Sequence, residues 1–277
     1  MTSHPQKQES ARAWRRRICL LAAWAGGVAL AQPDPAPASR PILRIYAYHL
    51  KPPFLLDKAG RRGLYPALVA LLQEHLPQWK LELSYLPRKR LDLLLEAGQL
   101  DGAVIGVSPL WFSPEVRAAN AWTNALLEDA DLLISLRSRP ISFAGPKSLR
   151  GIRLALPRGY LVPGVNQAIA AGDIQRTEPE SEVNAMAMLV RGHADAVVVT
   201  ELTYRAWLLD NPSWINRLVH DVPPLGRFEL GLLVPPRLAG SLQALNEAVS
   251  RTRRSRAWEA LIASELGPAK EILLAPP

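Results

Sequence analysis

The sequence predicts a two-lobed α/β protein, each lobe a small, mostly parallel sheet flanked by helices, with two extended passages joining the lobes. Two observations carry this reading. Residues 94–105 and 188–199 repeat one another: helix-like apolar residues, Gly98 or Gly192 where the helix ends, Asp101 or Asp195, then an apolar run that reads as a buried strand. Each copy also follows another strand-helix-strand pattern, so one chain builds two similar units, and paired units offer a cleft between them. A single large sheet is the alternative arrangement.

Taken in order, the chain opens with a leader. Arg12 and the run Arg15, Arg16, Arg17 precede an apolar stretch over residues 18–30 that ends in Ala29-Leu30-Ala31. A basic region, a short apolar core and a small-residue site form a secretory signal peptide over residues 1–31, with cleavage before Gln32 and a periplasmic mature protein. An uncleaved anchor and a twin-arginine export signal are the other readings of this segment, although its apolar run falls short of the ~20 residues that span a bilayer. Cys19, the one cysteine, lies inside the leader, so the mature chain forms no internal disulfide. Losing the leader lowers the net charge from +8 to +4, because Lys7 and four arginines leave with Glu9. That modest surplus, without a basic stripe interleaved with aromatics, argues against nucleic acid as a partner.

A linker rich in proline and alanine covers residues 32–40. Alternation then marks strands at residues 42–46 and 81–86, and helical spacing marks residues 64–76. Pro87 opens a helix over residues 88–97, where proline at the first turn is tolerated, and residues 101–107 complete the first unit. The second unit repeats the order: strand 152–156, helix 165–171, strand 174–178, helix 183–190, strand 196–199. Residues 126–136 and 228–234 are the two extended passages, and helices near 241–251 and 255–266 end the chain. Lobe 1 is accordingly expected at residues 41–127 and 229–277, lobe 2 at 128–228, with the crossing strands as hinges.

Enzymatic chemistry has little foothold. The five histidines show no zinc-like spacing, and the sequence has no Gly-x-Ser-x-Gly elbow, phosphate loop or cysteine nucleophile in the mature chain. No metal or cofactor is expected. Asp101 and Asp195 stand at matching places in the two repeats, which favours a structural turn role over paired-carboxylate catalysis.

Several short motifs resemble those of the bacterial extracellular solute-binding proteins of family 3, which serve amino-acid-type ABC importers. They are Pro52-Pro53-Phe54 after the first strand, Gly63-Leu64, Leu95-x-x-Gly98-x-x-Asp101, Leu149-Arg150-Gly151, Gly159 and Leu189-x-x-Gly192-x-x-Asp195, in the family's order. Leu86-Pro87-Arg88-Lys89-Arg90 is similar to the Pro-x-x-Arg signature of a divergent branch. The resemblance implies the type II periplasmic-binding-protein fold. It also implies a hydroxyl ligand at Ser108 and a carboxylate-gripping arginine at Arg117, with Arg90 as a further cation. In the second lobe, Leu161 replaces the family's hydroxyl residue, and Thr200, followed by Glu201, replaces the aspartate that receives a ligand's amino group. A neutral threonine cannot neutralise a buried ammonium, so an ordinary α-amino acid is a doubtful ligand.

The residues themselves add aromatic walls. Tyr48, Phe54, Trp111, Phe112 and Tyr160 stand near strand ends, where open α/β sheets bind ligands, though core packing would also explain them. Arg158 could bring a second positive charge from lobe 2. The expectation is a monomeric, non-enzymatic periplasmic protein that closes on a small polar ligand bearing a carboxylate, with an ABC permease in the inner membrane as partner. The alternatives are a sensory or accessory module for a membrane receptor and, more remotely, a dehydratase-like enzyme on the same scaffold using Glu201.

Overall fold

The computed structural model describes residues 40–160, 162 and 164–266. Residues 1–31, expected as a leader and holding Cys19, the expected linker at 32–39, Leu161, Pro163 and residues 267–277 lie outside the described residues.

The first unit is β1 (Ile42–Ala47), α1 (Leu64–Glu74), β2 (Lys80–Tyr85), α2 (Arg88–Glu96) and β3 (Ala103–Val107). A short helix α3 (Pro114–Ala119) and strand β4 (Ala121–Trp122) follow, and β5 (Leu127–Leu136) leads out. The second unit is β6 (Arg153–Ala155), α4 (Val165–Ala170), β7 (Gln175–Thr177), α5 (Glu182–Val190) and β8 (Ala196–Thr200), continued by α6 (Glu201–Asp210) and β9 (Leu218–His220). Strand β10 (Gly226–Val234) returns, and α7 (Leu242–Arg253) and α8 (Arg256–Leu266) close the described chain.

The strands run in the order β2-β1-β3-β10-β5-β8-β6-β7. Within each unit the pairing is parallel, β1 with β2 and β3, β6 with β7 and β8. Among the described residues, β10 alone belongs to both ladders. Its first half pairs antiparallel with β5 (Glu229 opposite Glu128), and its second half pairs with β3 (Leu233 opposite Val104), with a register shift between Gly231 and Leu232. The two-lobe expectation and its single-sheet alternative thus meet in one object: two small sheets sharing a strand.

Each sheet has its own core. On β1 the inward residues Leu43, Ile45 and Ala47 alternate with outward ones and pack on Leu64, Leu68 and Leu72 of α1, which share one helix face. In the second sheet, Ile134 of β5 and Val197 and Val199 of β8 pack on Met186 and Leu189 of α5. The repeated aspartates hold strand starts. Asp101 accepts from Tyr46 Oη at 2.7 Å and from Arg44 on β1, while Asp195 accepts from Arg153 on β6 through its backbone N–H at 2.9 Å and guanidinium at 2.8 Å. Hydrogen bonds from these partners hold both carboxyls below the usual carboxylate range.

Two differences from the expected elements concern the site. Ser113 to Arg117, expected as a turn, starts a helix instead, with the Ser113 hydroxyl accepting from Val116 N–H and Pro114 at the first position. Thr200 and Glu201, expected only as strand-end ligand contacts, are the N-cap and first residue of α6.

Candidate ligand-binding site

The turn after β1 is seated on the N-terminus of α1. The N–H groups of Leu64 and Tyr65 donate to the carbonyls of Pro53 and Phe54 at 2.7 and 3.1 Å. Gly63, at φ 112°, is required there, since a Cβ would stand 2.4 Å from the Phe54 carbonyl oxygen. This turn presents Phe54, buried against Tyr65, and carries Lys51 with its ammonium 5.5 Å from the Phe54 ring centre.

Lys51 reaches the second lobe. Its ammonium lies 2.7 Å from Glu182 Oε1, in the first turn of α5, and 3.3 Å from the hydroxyl of Thr200 at the end of β8. The Glu182 side chain is 1% exposed and Lys51 14%. Glu182 also accepts from the Tyr160 hydroxyl, and its Oε2 lies 3.2 Å from the Thr200 hydroxyl, which is 2.9 Å from that of Thr203. Both carboxylate oxygens are therefore satisfied, which is what makes a buried charge tolerable.

Two further acids face the same region from β5. Asp129 is buried and accepts the backbone N–H groups of Ala130 and Leu202 at 2.8 and 3.1 Å. Burial pushes its carboxyl up to about 7 despite the pull of Lys51 and those two donors. Burial and then the neighbouring Glu182 charge push Asp131 to about 7, again with Lys51 opposing. One lysine thus stands among three acids.

Beside this cluster lies an aromatic wall on the first lobe. His49 packs at 4.0 Å from Tyr48, 5.4 Å from Phe54 and 5.6 Å from Trp111, and its Nδ1 is 3.0 Å from the Tyr65 hydroxyl. Burial, with Lys51 and Arg88 adding repulsion, lowers its pKa well below the ordinary value, so the ring is neutral. Arg88 stacks its guanidinium 4.5 Å from the Phe112 ring and 5.3 Å from that of Tyr48, and donates to Tyr48 Oη at 3.3 Å and the Trp111 carbonyl at 3.1 Å. Burial raises the Tyr48 hydroxyl to about 12, so at neutral pH it stays protonated.

Of the sequence-derived candidates, Phe54, Tyr160 and Thr200 meet around Lys51 and Glu182, and Tyr48 and Trp111 meet around His49 and Arg88. Ser108 is buried just beyond β3, its carbonyl accepting from Trp111 N–H at 3.1 Å. Four others stand apart in their contacts. Arg90 and Arg117 are exposed on α2 and α3, Arg158 is exposed 3.9 Å from Glu178, and Glu201 pairs with Arg205 one turn along α6. Two shallow surface hollows of about 410 and 400 Å³, around Trp214 and around Asn246, share no residue with this cluster. The cluster is the stronger candidate because its charges are buried, convergent and drawn from both lobes.

Lys51, Glu182, Arg88, Asp129 and Asp131 were not singled out as ligand residues from sequence. Arg88 lies inside the Pro-x-x-Arg run, but the arginine which that signature points to is Arg90. Among the described residues no group of three or more His, Cys, Asp or Glu side chains converges as a metal site, and no helix is long and apolar enough to cross a membrane.

No family model matches the chain, and no curated protein matches it in sequence. Solved structures do. The GluR0 ligand-binding core from Nostoc punctiforme in complex with L-glutamate superposes with a TM-score of 0.64 at 14% identity, over 82% of this chain and 100% of that one. A histidine kinase sensor domain with similarity to periplasmic binding proteins gives 0.64 at 21%, over 82% and 97%. A mutant of ArgBP from T. maritima gives 0.62 at 21%, over 82% and 95%. The chain has the two-lobed periplasmic-binding-protein fold, and the resemblance to family 3 solute-binding proteins holds at the level of that fold, with a divergent sequence.

Proposed function

We propose that this protein is a periplasmic solute-binding protein, not an enzyme, that closes on a small polar ligand bearing a carboxylate and delivers it to an ABC importer. The observation that carries the reading is the buried contact of Lys51 with Glu182, Thr200 and, through Glu182, Tyr160, which draws on both halves of the fold at the cluster where the aromatic wall begins. Residues 41–127 with 229–277 would form one lobe and residues 128–228 the other, hinged at β5 and β10. The ligand's anionic end would lie against the first lobe, near Ser108 and the half-buried Arg88, with Arg117 one helix further along. Ligand would stabilise the closed state by contacts from both lobes.

Native mass spectrometry of freshly purified protein tests this reading. A co-purified small molecule that leaves on denaturation, and whose return reduces the radius measured by small-angle scattering, is the expected result. A protein that carries no ligand, binds no small carboxylate and never changes its radius would overturn it. A second reading, a sensory module acting on a membrane receptor, is favoured by the likeness to a histidine kinase sensor domain. Capture of the permease by the liganded protein in a detergent extract would separate the two.

A further inference from the structure

In a site that receives an amino-acid-like ligand, a buried carboxylate must meet the ligand's ammonium. Thr200 stands where the resemblance implies that carboxylate, and it has no charge to offer. Glu182 supplies a charge there: its Oε2 lies 3.2 Å from the Thr200 hydroxyl, so a carboxylate stands at this place from the neighbouring helix. The position opposite that charge is already filled. Lys51 puts an ammonium 2.7 Å from Glu182 Oε1 and 3.3 Å from Thr200 Oγ1, the coordination that an ammonium-bearing ligand would seek.

We infer that the Lys51 side chain is a built-in occupant of the ammonium subsite at Glu182, Thr200 and Tyr160, and that it makes the protein selective for anions lacking an α-amino group. This rests on the solute-binding reading above and adds the ligand class. A free ammonium has to expel a group that the chain itself holds at high effective concentration, and it must leave that group's charge somewhere else. Once expelled, the Lys51 ammonium exchanges its contacts with Glu182 and Thr200 for water beside the Phe54 ring. A carboxylate without an amino group requires no such displacement, because it leaves the Lys51 ammonium in place on Glu182 and Thr200. Selectivity then comes from excluding the competitor as much as from gripping the ligand.

The test uses full-length mature protein and matched probe pairs: L-alanine with propionate, L-glutamate with glutarate, and L-arginine with 5-guanidinopentanoate, each titrated by calorimetry. Wild type should bind no amino acid more tightly than its amino-free partner. Lys51→Met should shift the preference toward at least one amino acid by roughly tenfold or more. Adding Glu182→Gln in that background should remove the gain. A wild type that prefers an amino acid, or a folded Lys51→Met protein with unchanged preference, overturns the inference. Should Lys51→Met fail to fold, reductive dimethylation of wild type decides: Lys51 should stay protected with every amino acid present, and an amino acid that exposes it to the reagent would show displacement and refute selectivity. A protein that binds amino acids with Lys51 displaced would still be a solute-binding protein, whereas one that binds no probe and carries no ligand would lose both readings.

Discussion

Lys51 and Glu182 meet at 2.7 Å across 131 residues of chain, yet the lysine is 14% exposed and the glutamate only 1%. Their removal should therefore be unequal. Lys51→Met strands a carboxylate in the interior and is expected to cost roughly 3 kcal/mol. Glu182→Gln leaves a lysine whose stem can carry its ammonium out to water, at about 1–2 kcal/mol. Urea denaturation of both variants measures the difference, and equal losses would mean that the glutamate is more hydrated than its burial implies.

Stability should depend on pH through the β5 acids. Asp129 is held at about 7, above its ordinary value of 3.8, so the native state binds more protons than the unfolded state between those values. Its contribution is most favourable below about pH 4 and is lost as pH rises through 7. Melting temperature should fall between pH 5 and pH 8, and Asp129→Asn, which keeps the oxygen that accepts from Ala130 and Leu202, should flatten that slope. A slope unchanged by the substitution would move the effect to another group.

Glycine at 106 is under a different constraint from glycine at 98, although both have positive φ, 73° and 62°. A Cβ on Gly106 would stand 1.8 Å from the Tyr65 hydroxyl, while one on Gly98 would meet nothing within 4 Å. Gly98→Ala should cost about 1 kcal/mol for backbone strain alone, and Gly106→Ala about 3 kcal/mol or more. Thermal denaturation of the pair is sufficient to compare them.

The arginines should divide by what they touch. Arg88→Ala removes stacking on two rings and three hydrogen bonds, to Tyr48, Asp92 and the Trp111 carbonyl, and is expected to cost about 1–2 kcal/mol. Arg117→Ala, at an exposed helix position, should stay within about 0.5 kcal/mol. Arg88→Lys retains the charge and loses the planar fork, and should fall between them.

The two repeats were legible because glycine, aspartate and a strand follow one another within a dozen residues, and the aspartates' pairing with Arg44 and Arg153 explains why that order recurs. Helix α3 was written in Ser113-Pro114 but was masked by the turn that the resemblance implied. Glu182 gave no sign, because an acid one residue after the cap Ser181 is accounted for by the helix dipole alone. Its partner is on another lobe, and no local spacing encodes that. Tyr160 and Thr200 were found for their positions, while the charge that joins them to Lys51 was not.

The shared strand β10 also fixes an order of events as the protein forms. The second sheet's parallel strands β6, β7 and β8 come from one continuous stretch, which can pair as soon as it exists. The first sheet cannot finish until Gly231 reaches Val107, more than a hundred residues earlier in the chain. Closing a loop of that length costs about 4 kcal/mol before any contact rewards it. Until then the β3 edge, with buried residues at every position, stands unpaired. The unit made first is thus the last to be completed, and its open edge is where a newly made chain is most exposed to pairing with another.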